Sequence, residues 1–500
     1  MDLVSGFPKN LAYTLKQLSN FTKQTVKVMP DRANDVNFGD VSRFKLPASA
    51  MIDFRTISIF ADVTLYKDNT ANTGYALHLP RNTASLIQQI TITCNGVQLC
   101  NINDYNLLYN TLYDLEGADF SQTSKRFLEN ADPSVYHIPG DTIATGDSLI
   151  TTINAMATAA NNNETRRPIV INNFLGFIGS LSTPVIDTND TGDIYIEIRW
   201  ASPKVLWGTT NQQLPSYAVE TNCKFDDLRI TCSKINFESG EYYELKAQKL
   251  LSDGLLIGYY DYWTARGSGV VKSSGVNMNF NVTTNSLDQC IATFQHTDYQ
   301  KIAPLILHNA NDLGADFATT VKSFNQVLAD PVGNATTATA AAAAYTADNA
   351  TLNTTLGDAF NQSYYFMRAG CDLATSQWSI NSTNVDPYPL PPSEIWNQNL
   401  IALGNNNIDF GTSGVHPGCL SLYHFLKYYF CHILSIENLS GDGQMWRSGL
   451  SGNGSTVNIS YSATFGKTGD TANGENIQPV IFCRSTKILT VKSGRIISVV

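Results

Sequence analysis

A few groups of residues have types and spacings that could carry chemistry. Gly466-Lys467-Thr468 matches the closing triplet of a phosphate loop. That loop needs a glycine five residues before Gly466, where Tyr461 stands, and it must join a strand to a helix. Here the triplet trails an alternating strand, so nucleotide binding is not expected. His416, Cys419, His424, Cys431 and His432 offer the nitrogen and sulfur ligands zinc prefers. Their spacing fits no usual zinc site, and Leu, Tyr and Phe interleave them; they read as a strand and adjoining loop with buried thiols. Asp187, Asp190 and Asp193 bracket a turn with Asn189 and Gly192. Calcium takes such oxygens, but the twelve-residue loop with its closing Glu is absent, and a plain turn accounts for them. Asp226-Asp227 and Glu394 are isolated carboxylates that cannot be paired without geometry. Tyr259, Tyr260, Tyr262 and Trp263 could stack on sugars or bases, although such runs are more often sandwich core. N-x-S/T sequons, as at Asn281, Asn334, Asn349 and Asn353, arise by chance in an Asn- and Thr-rich chain. Neither G-x-S-x-G nor H-E-x-x-H occurs. The expectation is a protein that is not an enzyme, with no cofactor, no bound metal and no small-molecule substrate.

The elements that would position these residues are mostly strands. Ile194, Ile196, Ile198 and Trp200 alternate with Tyr195, Glu197 and Arg199. Val276, Met278, Phe280 and Val282 alternate with three asparagines, and 457–465 repeats the pattern from Val457 to Phe465. Segments 57–65 and 228–237 behave similarly. Period-two alternation sets one face on a core and leaves the other wetter. Asn95-Gly96 between two such runs predicts a hairpin, because both residues tolerate positive φ. Few helices are expected. One covers 104–116, with Asn103 as cap and Gly117 as stop. A second covers 241–252, with Tyr243, Ala247, Leu250 and Leu251 as its apolar stripe. A third covers 393–403, and 9–23 is a fourth. Strands without βαβ alternation indicate sandwiches or jelly rolls.

The chain has 500 residues, so one such unit does not fill it. A helix near the middle is a natural joint between two. The two halves also echo each other: strand, turn and helix over 86–116 and again over 375–403, with Ile92 to Tyr105 and Ile380 to Glu394 similarly spaced. The polar stretches 151–163 and 331–354, the latter containing Ala340 to Ala344, read as long surface loops. Charged residues make up 15 % and aromatics 10 %, which excludes bulk disorder and a coiled coil. A net charge of −10 argues against a protein that coats nucleic acid by charge alone. Nine cysteines, none in C-x-x-C, read as buried free thiols of a reducing compartment. The opening MDLVSGFPKN has no apolar run of signal-peptide length, and no run of 18 apolar residues occurs, so neither secretion nor a membrane span is expected.

Four segments carry a family resemblance: SLIQQITITCNGVQLCNINDYNLLYNTLYDL (85–115), EYYELKAQKLLSDGLLIGYYDYWT (241–264), SQWSINSTNVDPYPLPPSEIW (376–396) and RSTKILTVKSGRIISVV (484–500). Together they resemble the double jelly-roll major capsid proteins of polinton-like viruses and virophages, a lineage that includes the adenovirus hexon and the capsid proteins of large algal viruses. The resemblance spans about residues 40 to 500. It implies an all-β fold of two eight-stranded jelly rolls side by side, with few short helices and long loops. Its divisions are an N-terminal inner arm over 1–39, a first jelly roll over 40–237, a joining helix over 238–254 and a second jelly roll over 255–500. Loops at 138–168 and 308–360 would rise outward as towers. The implied function is a major capsid protein: homotrimeric, pseudo-hexagonal capsomers tiling the icosahedral shell of a double-stranded DNA virus. The implied partners are further copies, neighbouring capsomers, and penton and minor capsid proteins. The implied location is the virion, after synthesis in the host cytoplasm or nucleus.

Residues 1–30 carry Lys9, Lys16, Lys23 and Lys27 against Asp2 alone, opposite in sign to the whole chain. With this end placed inside by the resemblance, these lysines are expected to touch genome, an inner membrane or a minor capsid protein. A solvated terminal helix with ordinary lysines is the plainer reading. Two other functions fit the composition: a β-sandwich binding protein such as a lectin-like adhesin or spike, and a minor capsid protein.

Overall fold

The segment Ile194–Trp200 shows how the alternation is used. Ile194, Ile196, Ile198 and Trp200 are buried, while Glu197 and Arg199 face solvent. Val276, Met278 and Val282 are likewise buried between exposed asparagines. The computed structural model describes residues 21–31, 36–68, 75–80, 82–113, 164–210, 223–237, 240–252, 254–271, 274–296, 303–306, 373–402, 429–436, 456–466, 476–492 and 495–499. It also describes short pieces at 364–366, 368, 370, 425–426 and 449–450.

Sixteen strands form two units of identical topology. In the first unit they are β1 (Phe21–Val28), β2 (Val41–Lys45), β3 (Met51–Asp68) and β4 (Ile87–Cys94), then β5 (Val97–Asn103), β6 (Glu164–Ile171), β7 (Ile194–Trp200) and β8 (Lys224–Phe237). In the second they are β9 (Leu255–Arg266), β10 (Val276–Thr283), β11 (Leu287–His296) and β12 (Leu373–Ile380), then β13 (Thr383–Asn384), β14 (His432–Ser435), β15 (Thr456–Phe465) and β16 (Asn476–Lys492). The first unit pairs β1-β8-β3-β6 in one sheet and β2-β7-β4-β5 in the other. The second pairs β9-β16-β11-β14 and β10-β15-β12-β13. Each strand of the first unit therefore has its counterpart eight strands later. This strand order, antiparallel throughout these ladders, is a jelly roll made twice. Short strands widen the sheets. Val36–Asn37 pairs with β8, Val185–Asp187 with β3, and Val270–Val271 and Arg495–Val499 with β16. Ala303–Ile306 runs parallel to Trp207–Thr210, so a strand from the second half joins a sheet of the first.

Five α-helices lie among the described residues: α1 (Tyr105–Tyr113), α2 (Phe177–Ser180), α3 (Thr188–Thr191), α4 (Gly240–Ser252) and α5 (Pro392–Ala402). α1 follows β5 as α5 follows β13, so the echo between the halves is a true structural repeat. Asn103 does not cap α1. It ends β5, and the carbonyl of Asp104, a residue at φ 50°, takes the amides of Leu107 and Leu108. The Asn95-Gly96 hairpin forms as expected, with φ of 47° and 80°.

The N-terminal reading needs correction. Residues 21–23, expected at the end of a helix, belong to β1, and 9–20 lie outside the described residues. β1 also lies within 1–39, the stretch read as an arm, yet it is the first strand of the first jelly roll and pairs with β8 from Phe21↔Phe237 to Val28↔Ile230. FTKQTVKV hides this because most of it is exposed, and only Val26 and Val28 pack partly against the core, too short a run to show alternation. Of the tower segment 138–168, residues 164–168 are part of β6; the rest, and 308–360, lie outside the described residues, as do 151–163 and 331–354.

Aromatic clusters fill both cores. Trp200 of β7 lies 4.3 Å from Phe225 of β8, and its indole N–H donates to Ser42 Oγ at 2.8 Å. In the second unit Phe294 of β11 meets Phe430, Tyr461 and Phe465, and Trp378 of β12 lies 4.5 Å from Tyr461. Full burial of one such side chain contributes roughly 1.5–3 kcal/mol. No helix among the described residues is long and apolar enough to cross a membrane.

Candidate assembly surfaces

Most residues that could have carried chemistry serve packing instead. His432 is fully buried in β14, edge-on to Trp378 and Tyr461. Its Nδ1 lies 2.8 Å from Ser376 Oγ and its Nε2 lies 3.2 Å from Gln398 Oε1. Burial pushes its pKa down to about 3. Cys431 Sγ accepts from Asn399 Nδ2 at 3.6 Å, while His416, Cys419 and His424 lie outside the described residues. Among the described residues no group of three or more His, Cys, Asp or Glu is placed to hold a metal ion. The seven described cysteines are buried, and none of them forms a disulfide.

A pH dependence follows from His432. The unfolded imidazole titrates near 6.5, and the folded one near 3. Protons therefore favour the unfolded chain, and the stability present above pH ~6.5 is lost as pH falls toward 3. At pH 5 this group alone should cost about 2 kcal/mol relative to pH 7. Urea unfolding at both pH values checks it: His432→Gln should shrink the difference by about that amount, and an unchanged difference would mean the imidazole is protonated in the fold.

Asp187 and Asp190 bind no calcium-like loop; they hold a lysine. Asp187 caps the short α3, accepting from the Asn189 amide at 2.9 Å. Lys246 Nζ, buried on α4, reaches Asp187 Oδ2 at 2.5 Å and Asp190 Oδ2 at 3.0 Å. Asp193 is apart, at the surface, paired with Lys45 at 2.6 Å. Burial raises the Asp190 pKa against the pull of Lys246. Burial also pulls the Lys246 ammonium down, but its bonds and charge contacts with Asp187 and Asp190 outweigh that and leave its pKa raised. The expected stripe of α4 is corrected accordingly. Only Leu250 of it is buried; Tyr243, Ala247 and Leu251 are exposed, because the helix turns Lys246 and Leu250 inward to meet the two carboxylates.

The aromatic run 259–263 is divided by the pleat and forms no stacking platform. Tyr260 lies under the Arg484 guanidinium and Trp263 under Lys487. Tyr259, on the face opposite Tyr260, points into the joint between the rolls. Its ring packs edge-on to Phe177 of α2 at 4.9 Å, and its hydroxyl donates to the Leu99 carbonyl of β5 at 2.8 Å. Around it, Gly258 and Ser182 exchange bonds of 2.8 and 2.9 Å, and the Tyr260 amide donates to Ser180 Oγ at 2.7 Å. At the far end Thr264 Oγ1 donates to the Asn103 carbonyl, and Arg266 pairs with Asp104 at 2.8 Å. Strand β9 of the second roll is thus docked along β5, Asp104 and α2 of the first.

Among the described residues, nothing covers the counterparts of these surfaces. β1, the counterpart of β9, exposes Thr22, Lys23, Gln24, Thr25 and Lys27. Lys23 stands 3.9 Å from Asp53 and Lys27 stands 3.4 Å from Asp227, with each lysine about half exposed. Lys9 and Lys16 lie outside the described residues. β13, the counterpart of β5, continues into Val385, Asp386 and Tyr388 before α5. Val385 and Tyr388 are 41 % and 51 % exposed, among the most exposed large apolar side chains described. Tyr388 donates to Glu394 Oε2 at 2.8 Å, and Asp386 Oδ1 accepts from Gln398 at 3.1 Å. The remaining sites are ordinary. Asp226 is buried against Thr64, Asp227 pairs with Arg229, and Asn281 is bonded to Asn458. Lys467, Thr468, Asn334, Asn349 and Asn353 lie outside the described residues.

No family model matches the chain, and no curated protein does. Solved structures do. The chain is similar to VP54 of PBCV-1, as fitted into a reconstruction of the virophage Sputnik, at 11 % identity and a TM-score of 0.52, with 95 % of each chain covered. It is similar in the same measure to a chain of the quasi-atomic PBCV-1 capsid, at 11 % identity, a TM-score of 0.50 and 95 % coverage of both. The shared feature is the fold: two jelly rolls joined in one chain, as the sequence resemblance implied.

Proposed function

We propose that the chain is a major capsid protein, a structural tile that assembles as a homotrimer into the shell of an icosahedral double-stranded DNA virus. The observation that carries this reading is the twofold jelly roll spanning the described chain, similar over 95 % of its length to a chain of the PBCV-1 capsid. The physics suits the role. The joint is built from hydrogen bonds between side chains and backbone, an ion pair and a buried aromatic pair, so each chain presents two rolls as one block. A tile needs large complementary faces and no catalytic group; stable obligate interfaces often bury more than about 2,000 Å². In this reading the partners are further copies, neighbouring capsomers, and penton and minor capsid proteins, and the protein resides in the virion. Lys9 and Lys16, in an N-terminal stretch of opposite charge to the whole chain, are assigned to the inner side, toward genome, an inner membrane or a minor capsid protein.

Light scattering with negative-stain imaging of the same peak tests the proposal. The expected mass is about three times 54.8 kDa, with pseudo-hexagonal particles. A stable monomer that binds glycans would replace this reading with that of an adhesin.

A further inference from the structure

We infer that strand β1 of one copy docks on the open face of the second roll of another, formed by β13, Val385–Leu390 and the start of α5. The inference rests on the proposed assembly and adds the faces that make it.

The argument is the repeat itself. Within the chain, the first roll receives the leading strand of the second: β9 lies along β5, the residue before α1 and α2. The second roll offers the counterparts of β5 and of Asp104 in β13 and the stretch before α5, and nothing in the described chain fills them. The first roll's own leading strand, β1, is equally unfilled. Its counterpart β9 buries Ile257, Gly258, Tyr259, Asp261 and Tyr262, whereas β1 has no buried side chain among those described. One surface lacks its occupant and one occupant lacks its surface, and their counterparts fit each other inside every chain.

Charge agrees. In the internal joint, the cation Arg266 on the leading strand meets Asp104 just before α1. At the open faces, Lys23 and Lys27 stand on the leading strand, and Asp386 and Glu394 flank the entry to α5. The exposed Val385 and Tyr388 would supply the apolar centre that Tyr259 and Phe177 supply within the chain. Because the two faces differ, the contact is head-to-tail and propagates from copy to copy until a ring closes.

Carbodiimide coupling of the wild-type oligomer, mixed from light and isotope-labelled chains, reads the contact directly. The expected product is a mixed-label peptide joining Lys23 or Lys27 to Asp386 or Glu394. Charge reversal gives a second reading. Lys23→Glu with Lys27→Glu, or Asp386→Lys with Glu394→Lys, should each reduce the scattering mass from the oligomer to one chain, with circular dichroism unchanged. All four substitutions in one chain should restore the oligomer. Oligomers that persist in both double variants, without the mixed-label peptide, would overturn this face assignment and leave the capsid reading standing. A wild-type chain that stays monomeric at every concentration would overturn both.

Discussion

Replacing Lys246 by methionine should lower stability by roughly 3–5 kcal/mol at neutral pH. The substitution keeps most of the side chain's apolar length and removes only the ammonium. What remains is a pair of buried carboxylates, Asp187 and Asp190, that lose their shared cation. An isolated buried charge escapes its desolvation cost only by taking a proton. The penalty should therefore shrink as pH falls toward 4–5, because protonation neutralises the carboxyls. Denaturant unfolding of wild type and variant at pH 7.5 and 5 tests both parts. A loss under about 1 kcal/mol, or one independent of pH, would mean that Lys246 is solvated and that α4 is not held by this triad.

Tyr259→Ala should cost a similar amount, roughly 3–5 kcal/mol, for a different reason. It removes the ring packed on Phe177 and the hydroxyl bonded to the Leu99 carbonyl, both in the joint between the rolls. Burial raises the phenol's pKa, so the hydroxyl stays a donor across ordinary pH. Tyr259→Phe should cost only about 1 kcal/mol, the net worth of one hydrogen bond. Calorimetry separates the two variants. If the alanine variant melts like wild type, the rolls are held together elsewhere, and the internal joint is a poor template for contacts between copies.

Much of the fold is legible in the sequence because a strand between a core and solvent must alternate. Ile194 to Trp200 and Val276 to Val282 announce their strands, and Asn95-Gly96 announces its hairpin. The echo of strand, turn and helix across the halves reflects the duplication that the paired sheets display. β1 is the strand the sequence conceals. Its edge position leaves every described side chain but Val26 and Val28 exposed, so FTKQTVKV resembles a basic tail.

The sites divide along the same line. Residue types alone mark His432, Asp187, Asp190 and Tyr259 as chemically capable. Only the tertiary structure supplies Ser376 and Gln398 around the imidazole and Lys246 between the carboxylates, and sets Leu99 against the phenol. Those partners are 34 to 160 residues away in sequence, as Gln398 is from His432 and Leu99 from Tyr259. The apolar stripe of α4 fails for this reason. Periodicity ranks side chains by hydrophobicity, but the two buried carboxylates hold Lys246 inward, and that rotation leaves Leu251 in solvent. Local pattern decided which segments became strands in this protein. Long-range pairing and charge decided which faces close within the chain.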